Sequence, residues 1–122
     1  MTNVHMIVGS LVVIGFIVTL VLNIMSLVNG RVFPWQRSVS FAAATLLLLQ
    51  YVLGFSLLGE GKDVPGTHYL IALLAILGVG LEHGYASTRE DPKQRSLYAV
   101  IANVITLVLV LIAYMIGQSN GS

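Results

Sequence analysis

The amino-acid sequence predicts an all-α integral membrane protein, a single domain over residues 1–122 folded as an antiparallel four-transmembrane-helix bundle running up-down-up-down. Three observations carry that prediction. The chain is 57% hydrophobic and 9% charged, with a mean hydropathy of +0.90, whereas a soluble domain has roughly a quarter of its residues charged. Its six basic and five acidic side chains all fall between Arg31 and Arg95, outside the longest apolar runs. Four separate runs approach the roughly 20 apolar residues that a helix needs to cross a hydrocarbon core about 30 Å thick.

The first span is expected over residues 4–28. It is too long for the apolar core of a signal peptide and no small-residue cleavage site follows it, so a retained span is expected. The connection "NGRVFPWQRS" contains Gly30 and Pro34, and it places Phe33 and Trp35 as interfacial anchors. The second span is expected over 39–58 and ends at the Gly/Pro turn "GEGKDVPG". The third, over 67–85, leads into the charged connection "ASTREDPKQRS", which stops at Pro92, and the fourth covers 97–116. Connections this short make neighbouring helices antiparallel. The terminal "SNGS" is set aside.

Basic residues orient the bundle. The first and third connections hold Arg31, Arg37, Arg89, Lys93 and Arg95, whereas the second holds only Lys62. Positive charge stays on the cytoplasmic side, so both termini and the second connection are expected outside a bacterial or archaeal inner membrane. With no cysteine, disulfides and thiolate metal sites are excluded. A net charge of +1 gives no reason to expect a nucleic-acid partner.

At 100° per residue, each span gathers its polar and small residues on one face. The first gives His5, Gly9, Val12, Phe16, Thr19, Asn23 and Ser26, and the second gives Ala43, Leu46, Gln50, Gly54 and Leu57. The third gives His68, Ala72, Ala75, Val79 and Glu82, and the fourth gives Ala99, Asn103, Thr106, Val110, Ala113 and Tyr114. Leu, Ile and Val cover the remaining faces, toward the lipid bilayer. Ser10, Thr19, Ser26, Thr45 and Thr106 are expected to pack closely and hydrogen-bond between helices.

The histidines carry the functional expectation. His5 opens the first span and His68 the third, so both lie at the same depth on helices that face each other diagonally in a four-helix bundle. That is what a bis-histidine haem needs, each imidazole supplying one axial nitrogen. Gly9, Ala72 and Gly54 leave room nearby. Gln50 is expected to face the cofactor cavity or to clasp Asn103 or Thr19, because a buried amide in lipid must find a partner. His83, at the other end beside Glu82, is expected to pair with that carboxylate, and no second haem is predicted.

The order of these features, "NVHMIVGSLVV", "LLLLQYVLGFSLL" and "THYLIALLAIL", resembles the four-helix haem-binding unit that occurs twice in haem A synthase. The resemblance covers residues 3–78. It matches His5 and His68 to the family's histidine pair and Gln50, Leu53 and Gly54 to its glutamine–leucine–glycine helix, and it implies a haem held between the two histidines. The family's catalytic half has a glutamate shortly before the first histidine and an arginine just after it. Here "MTNVHMIV" has Thr2 and Asn3 before His5 and Met6 after it, so the resemblance supports a haem site more than haem A synthesis.

The leading expectation is therefore a b-type haem protein that carries electrons or handles haem, alone, as a homo-oligomer or within a larger respiratory complex. Two histidines saturate the iron, which disfavours oxygen activation. Lys62 is placed to pair with a propionate. A second expectation is a half-length haem A synthase-like enzyme acting as an oligomer, with Glu60 or Glu82 replacing the missing carboxylate. A third is a cofactor-free accessory subunit or small transporter, although the first span lacks the carboxylate that small multidrug transporters use. A copper site from His5, Met6 and His68 and a quinone pocket from Tyr51, Glu60 and His68 are weaker alternatives.

Overall fold

The computed structural model describes residues 2–30, 35–59 and 66–119. Among the described residues there are four α-helices: α1 (Thr2–Asn29), α2 (Gln36–Gly59), α3 (Gly66–Gly80) and α4 (Pro92–Ser119). By length and composition all four, with the turns that extend α3 to Thr88, can cross a membrane. The chain is a multi-pass, all-α membrane protein.

α1 packs against α2 and α4, and α4 packs against α3. α1 and α3 are therefore diagonal. α2 and α3, although consecutive, have no comparable backbone approach, so the ring of helices is loosest between them.

The interior is small and contains many polar groups. Its apolar cluster is Val8, Val12 and Phe16 of α1, Ala43 and Leu47 of α2, Ala75 of α3 and Val110 of α4. Toward the end that carries the basic connections, Thr19, Asn23, Ser26, Gln36, Ser40, Glu82, Ser96, Asn103 and Thr106 are buried. Large apolar side chains instead point outward, with Ile7 61% and Leu77 66% exposed. Lipid offers no hydrophobic drive for burying them, so small residues and hydrogen bonds hold the helices together. At Gly78, a Cβ would stand 1.9 Å from Thr106 Oγ1 and 3.1 Å from the Thr106 backbone nitrogen. No side chain larger than hydrogen lets α3 and α4 approach this closely.

Three expectations are corrected. The fourth helix begins at Pro92 rather than near residue 97, because Asp91 caps it. The Asp91 carboxylate accepts from the Lys93 backbone N–H at 3.2 Å, its carbonyl accepts from Arg95 N–H at 2.9 Å, and Pro92 suits the first helical position. The third span, expected over 67–85, is not regular α-helix throughout. α3 runs into a π-helical turn, Leu81–Tyr85, and a 3-10 turn, Ala86–Thr88. Tyr85 packs edge-on against Tyr98 at 5.2 Å, and the Arg89 guanidinium lies over the Tyr85 ring at 4.6 Å.

The third correction concerns the hydroxyls. Thr19, Thr45 and Thr106 donate to carbonyls four residues back in their own helices (Gly15, Phe41 and Ala102), each at 2.8 Å. Thr45 is also exposed. A helix supplies that acceptor at no conformational cost. Only Ser10, with Tyr114 at 3.1 Å, and Ser26, with Gln36 at 2.5 Å, bridge helices as expected. Arg31, Phe33, Glu60, Lys62 and the Leu57 side chain lie outside the described residues, and so do the roles expected of them.

Candidate functional site

His5 and His68 come from the first turns of α1 and α3, where the helical period turns both toward the bundle axis. Their ring centres are 6.4 Å apart, with the planes at 77°. His68 Nδ1 lies 2.8 Å from the Ala113 carbonyl oxygen. A carbonyl only accepts, so Nδ1 carries the hydrogen and Nε2 keeps its lone pair. His68 is thereby fixed in orientation and tautomer by a backbone atom of α4.

His5 is held differently. Its Nε2 lies 3.4 Å from Gln50 Nε2, while His5 Nδ1 and Gln50 Oε1 are buried without a hydrogen-bond partner. Gln50 thus bonds neither Asn103 nor Thr19, which corrects the expected clasp. Asn103 is engaged elsewhere, by Asn23 and Glu82. Buried polar atoms without partners are costly in a protein interior, about 1–3 kcal/mol each, and two of them belong to this one contacting pair.

A cavity of about 640 Å³, measured out to its mouth, surrounds the pair, and His5, Gly9, Gln50, Gly54, His68 and Ala72 all line it. All six residues expected at the site are therefore gathered around one space. The cavity runs toward the loose α2–α3 side, where Tyr51, Phe55, Tyr69 and Leu73 form its walls. Tyr51 donates its hydroxyl hydrogen to the Ala72 carbonyl and so ties α2 to α3 across that gap.

The glycines work by close approach rather than by leaving empty space. A Cβ at Gly9 would meet Gln50 Nε2 at 2.9 Å, and one at Gly54 would meet His5 Cε1 at 3.4 Å. Gly9 admits the Gln50 amide, and Gly54 admits the His5 ring. A smaller cavity of about 270 Å³ lies against the same group and adds Met6 and Gly117 to its lining. Among the described residues no cluster of three or more His, Asp or Glu could hold a metal ion. The metal-binding potential of this end is that of the two imidazoles.

Periodicity alone pointed to the histidines but not to what holds them. The Ala113 carbonyl is a backbone atom and has no residue-type signal. Tyr51 was legible as a possible pocket-lining residue beside His68, but not as a donor to the Ala72 carbonyl. At the opposite end, the engagement of Gln36 with Ser26 and Asn23, and of Ser40 with Glu82 and His83, was missed, because Gln36 precedes the expected second span and Ser40 barely enters it. Their spacing of four residues, one helical turn, was the available signal. No protein-family model, curated protein or solved structure matches this chain.

Proposed function

We propose that this protein is a membrane b-type haem protein in which His5 and His68 are the two axial ligands, and that it transfers electrons or handles haem for respiratory-complex assembly. The observation that carries the reading is the separation of the rings. Two imidazoles sharing one metal ion through bonds of about 2 Å place their ring centres about 6 Å apart, and these stand at 6.4 Å. The His68–Ala113 hydrogen bond adds support, since a metal-ligating histidine almost always donates its other N–H to a carbonyl, carboxylate or water. The orphaned His5 Nδ1 and Gln50 Oε1 fit a site whose polar groups are completed by a ligand.

Haem, when bound, supplies one-electron chemistry at its iron. The protein's own residues do the rest. Ala113 and Gln50 orient the imidazoles, and Val12, Leu47 and Val110 line the inner part of the cavity and keep water from it. The Tyr51–Ala72 bond closes the lipid-facing side. We assign the histidine end to the outer face of a bacterial or archaeal inner membrane, because Arg37, Arg89, Lys93 and Arg95 gather at the other end. The resemblance to the haem A synthase unit is consistent with this site. For a synthase role, Glu82 lies about 20 Å of helix rise from His68 and cannot replace the missing carboxylate, which leaves Glu60, outside the described residues, as the one candidate for it.

The test is an optical spectrum of the detergent-purified protein, oxidised and dithionite-reduced, beside His5→Ala and His68→Ala. Sharp reduced α and Soret bands lost in both variants are the expected result. A colourless protein, despite haem supplied during expression, overturns the proposal in favour of a cofactor-free subunit in which the two rings serve only as an edge-to-face packing pair.

A further inference from the structure

The end of the bundle opposite the histidines holds a buried carboxylate. Glu82 is 7% exposed, inside a segment that can span a membrane. Among the described residues its one ion-pair partner is His83, whose Nε2 lies 3.9 Å from Oε1. Intramembrane carboxylates are rare and costly, and they mark functional sites.

Two hydrogen-bonded arms converge on this group. In the first, Ser26 donates to Gln36 Oε1, Gln36 donates to Asn23 Oδ1, Asn23 donates to Asn103 Oδ1, and Asn103 Nδ2 donates to Glu82 Oε1 at 2.7 Å. Every donor in that arm points toward the carboxylate, which stabilises its negative charge. Its amide members, however, do not pass protons. In the second arm Ser40 Oγ–H donates to Glu82 Oε2 at 2.5 Å, and His83 Nε2 lies 3.1 Å from Ser40 Oγ. The single hydrogen of Ser40 is committed to Glu82, so its oxygen accepts from His83 Nε2–H. This arm consists of a hydroxyl and an imidazole, the two groups that relay protons.

The local backbone brings both ends of the relay to Ser40. The wide π-helical turn Leu81–Tyr85 lets the consecutive side chains of Glu82 and His83 reach the same hydroxyl, and such turns are frequent at functional sites. His83 stacks on Phe41 at 4.6 Å and its side chain is 20% exposed, so it connects the buried carboxylate to the surface. A cavity of about 550 Å³, measured out to its mouth, adjoins the relay. Ser96, 1% exposed, lines it with a hydroxyl that has no partner. Arg37 of α2 and Arg95 of α4 also line it, whereas α1 contributes only neutral Asn23. Those two guanidinium groups oppose occupation by a metal cation.

We propose that Glu82 is an intramembrane proton-binding site, loaded from the basic-connection end of the bundle through His83 and Ser40. In the transfer a hydronium proton from the aqueous side adds to His83 Nδ1 as the His83 Nε2–H bond breaks and that proton passes to Ser40 Oγ, so the imidazole stays neutral overall. Ser40 at the same time releases its own hydrogen to Glu82 Oε2. No electrons move, and the relay does not require haem to be bound elsewhere.

Infrared difference spectroscopy of the full chain in lipid vesicles, recorded on acidification, tests this. A carbonyl-stretch band of a protonated carboxyl is expected to appear, to shift in D₂O and on 13C-glutamate labelling, and to vanish in Glu82→Gln. After a rapid pH jump, Ser40→Ala is expected to slow the band's appearance by about a hundredfold, and Ser40→Thr to restore it. A spectrum without a buried glutamic-acid band overturns the site, and this holds for the unaltered labelled chain even if Glu82→Gln does not fold. Equal loading rates in Ser40→Ala and the unaltered chain overturn the route.

Discussion

His68 is locked by a backbone atom, its Nδ1 standing 2.8 Å from the carbonyl oxygen of Ala113, whereas His5 shares only a 3.4 Å contact with Gln50. The two imidazoles are therefore unequal. One is oriented by a carbonyl that cannot move without bending α4, and the other by a flexible amide side chain. Replacing the better-held residue probes the site most directly.

On the haem reading, His68→Met retains one histidine and supplies a thioether that the cavity can accommodate. Histidine–methionine ligation raises the potential of a haem. Redox titration is expected to show the variant still coloured, with its midpoint raised by on the order of 0.1 V. An unchanged midpoint in a coloured protein removes His68 from the ligand set.

Gly78→Ala is expected to be the most damaging single methyl addition. The new Cβ would overlap Thr106 Oγ1 at 1.9 Å, and the Thr106 backbone nitrogen stands 3.1 Å away. Rotating Thr106 relieves only part of the clash, so α3 and α4 must separate, at a cost of about 1–3 kcal/mol. Thermal unfolding in detergent checks this, and Gly78→Ala/Thr106→Ala should recover only part of the loss. Gly9→Ala, by contrast, meets the mobile end of Gln50 at 2.9 Å and the Tyr114 ring only at ordinary contact distance, 3.6 Å, and should cost much less stability.

Tyr51→Phe removes the hydroxyl that bridges α2 to the Ala72 carbonyl and leaves that carbonyl without its side-chain donor. A loss of about 1 kcal/mol is expected. Because α2 and α3 approach each other least of the neighbouring pairs, the loss should appear as faster hydrogen exchange at the amides lining the gap. Amides between α1 and α4 should exchange as before.

Asn103→Ala interrupts the buried arm at its centre. It strands Asn23 Nδ2 and deprives Glu82 Oε1 of its 2.7 Å donor, an expected cost of about 2–4 kcal/mol. In Glu82→Gln the carboxylate is already gone, so adding Asn103→Ala should cost less than it does in the unaltered chain. A double-mutant cycle measures that coupling, and strict additivity would place the two residues in separate networks.

The four spans were legible because their cause is local. A hydrocarbon core leaves the backbone no option but the helix, and the 3.6-residue period sorts each helix into faces. On the face expected of α1, Gly9, Val12, Phe16, Thr19, Asn23 and Ser26 are buried and His5 is half-buried. The start of α4 was not legible from hydropathy, since Asp91 and Pro92 act as a cap whose effect runs against the charge of the residues that follow.

By itself, then, the sequence determined that this is a four-helix membrane bundle, which residues turn inward, and that two histidines stand at one end. It could not determine the partners of those inward residues. Thr19, Thr45 and Thr106 carry the same hydroxyl chemistry as Ser26, yet they bond their own helices while Ser26 crosses to Gln36. The Glu82 relay depends on a π-helical turn and on Ser40 of a separate helix. Only the tertiary structure decides such matters, because a side-chain hydrogen bond needs alignment within a few tenths of an ångström. That alignment is fixed by how closely Gly78 and Gly54 let the helices approach, and not by the pattern within any one of them.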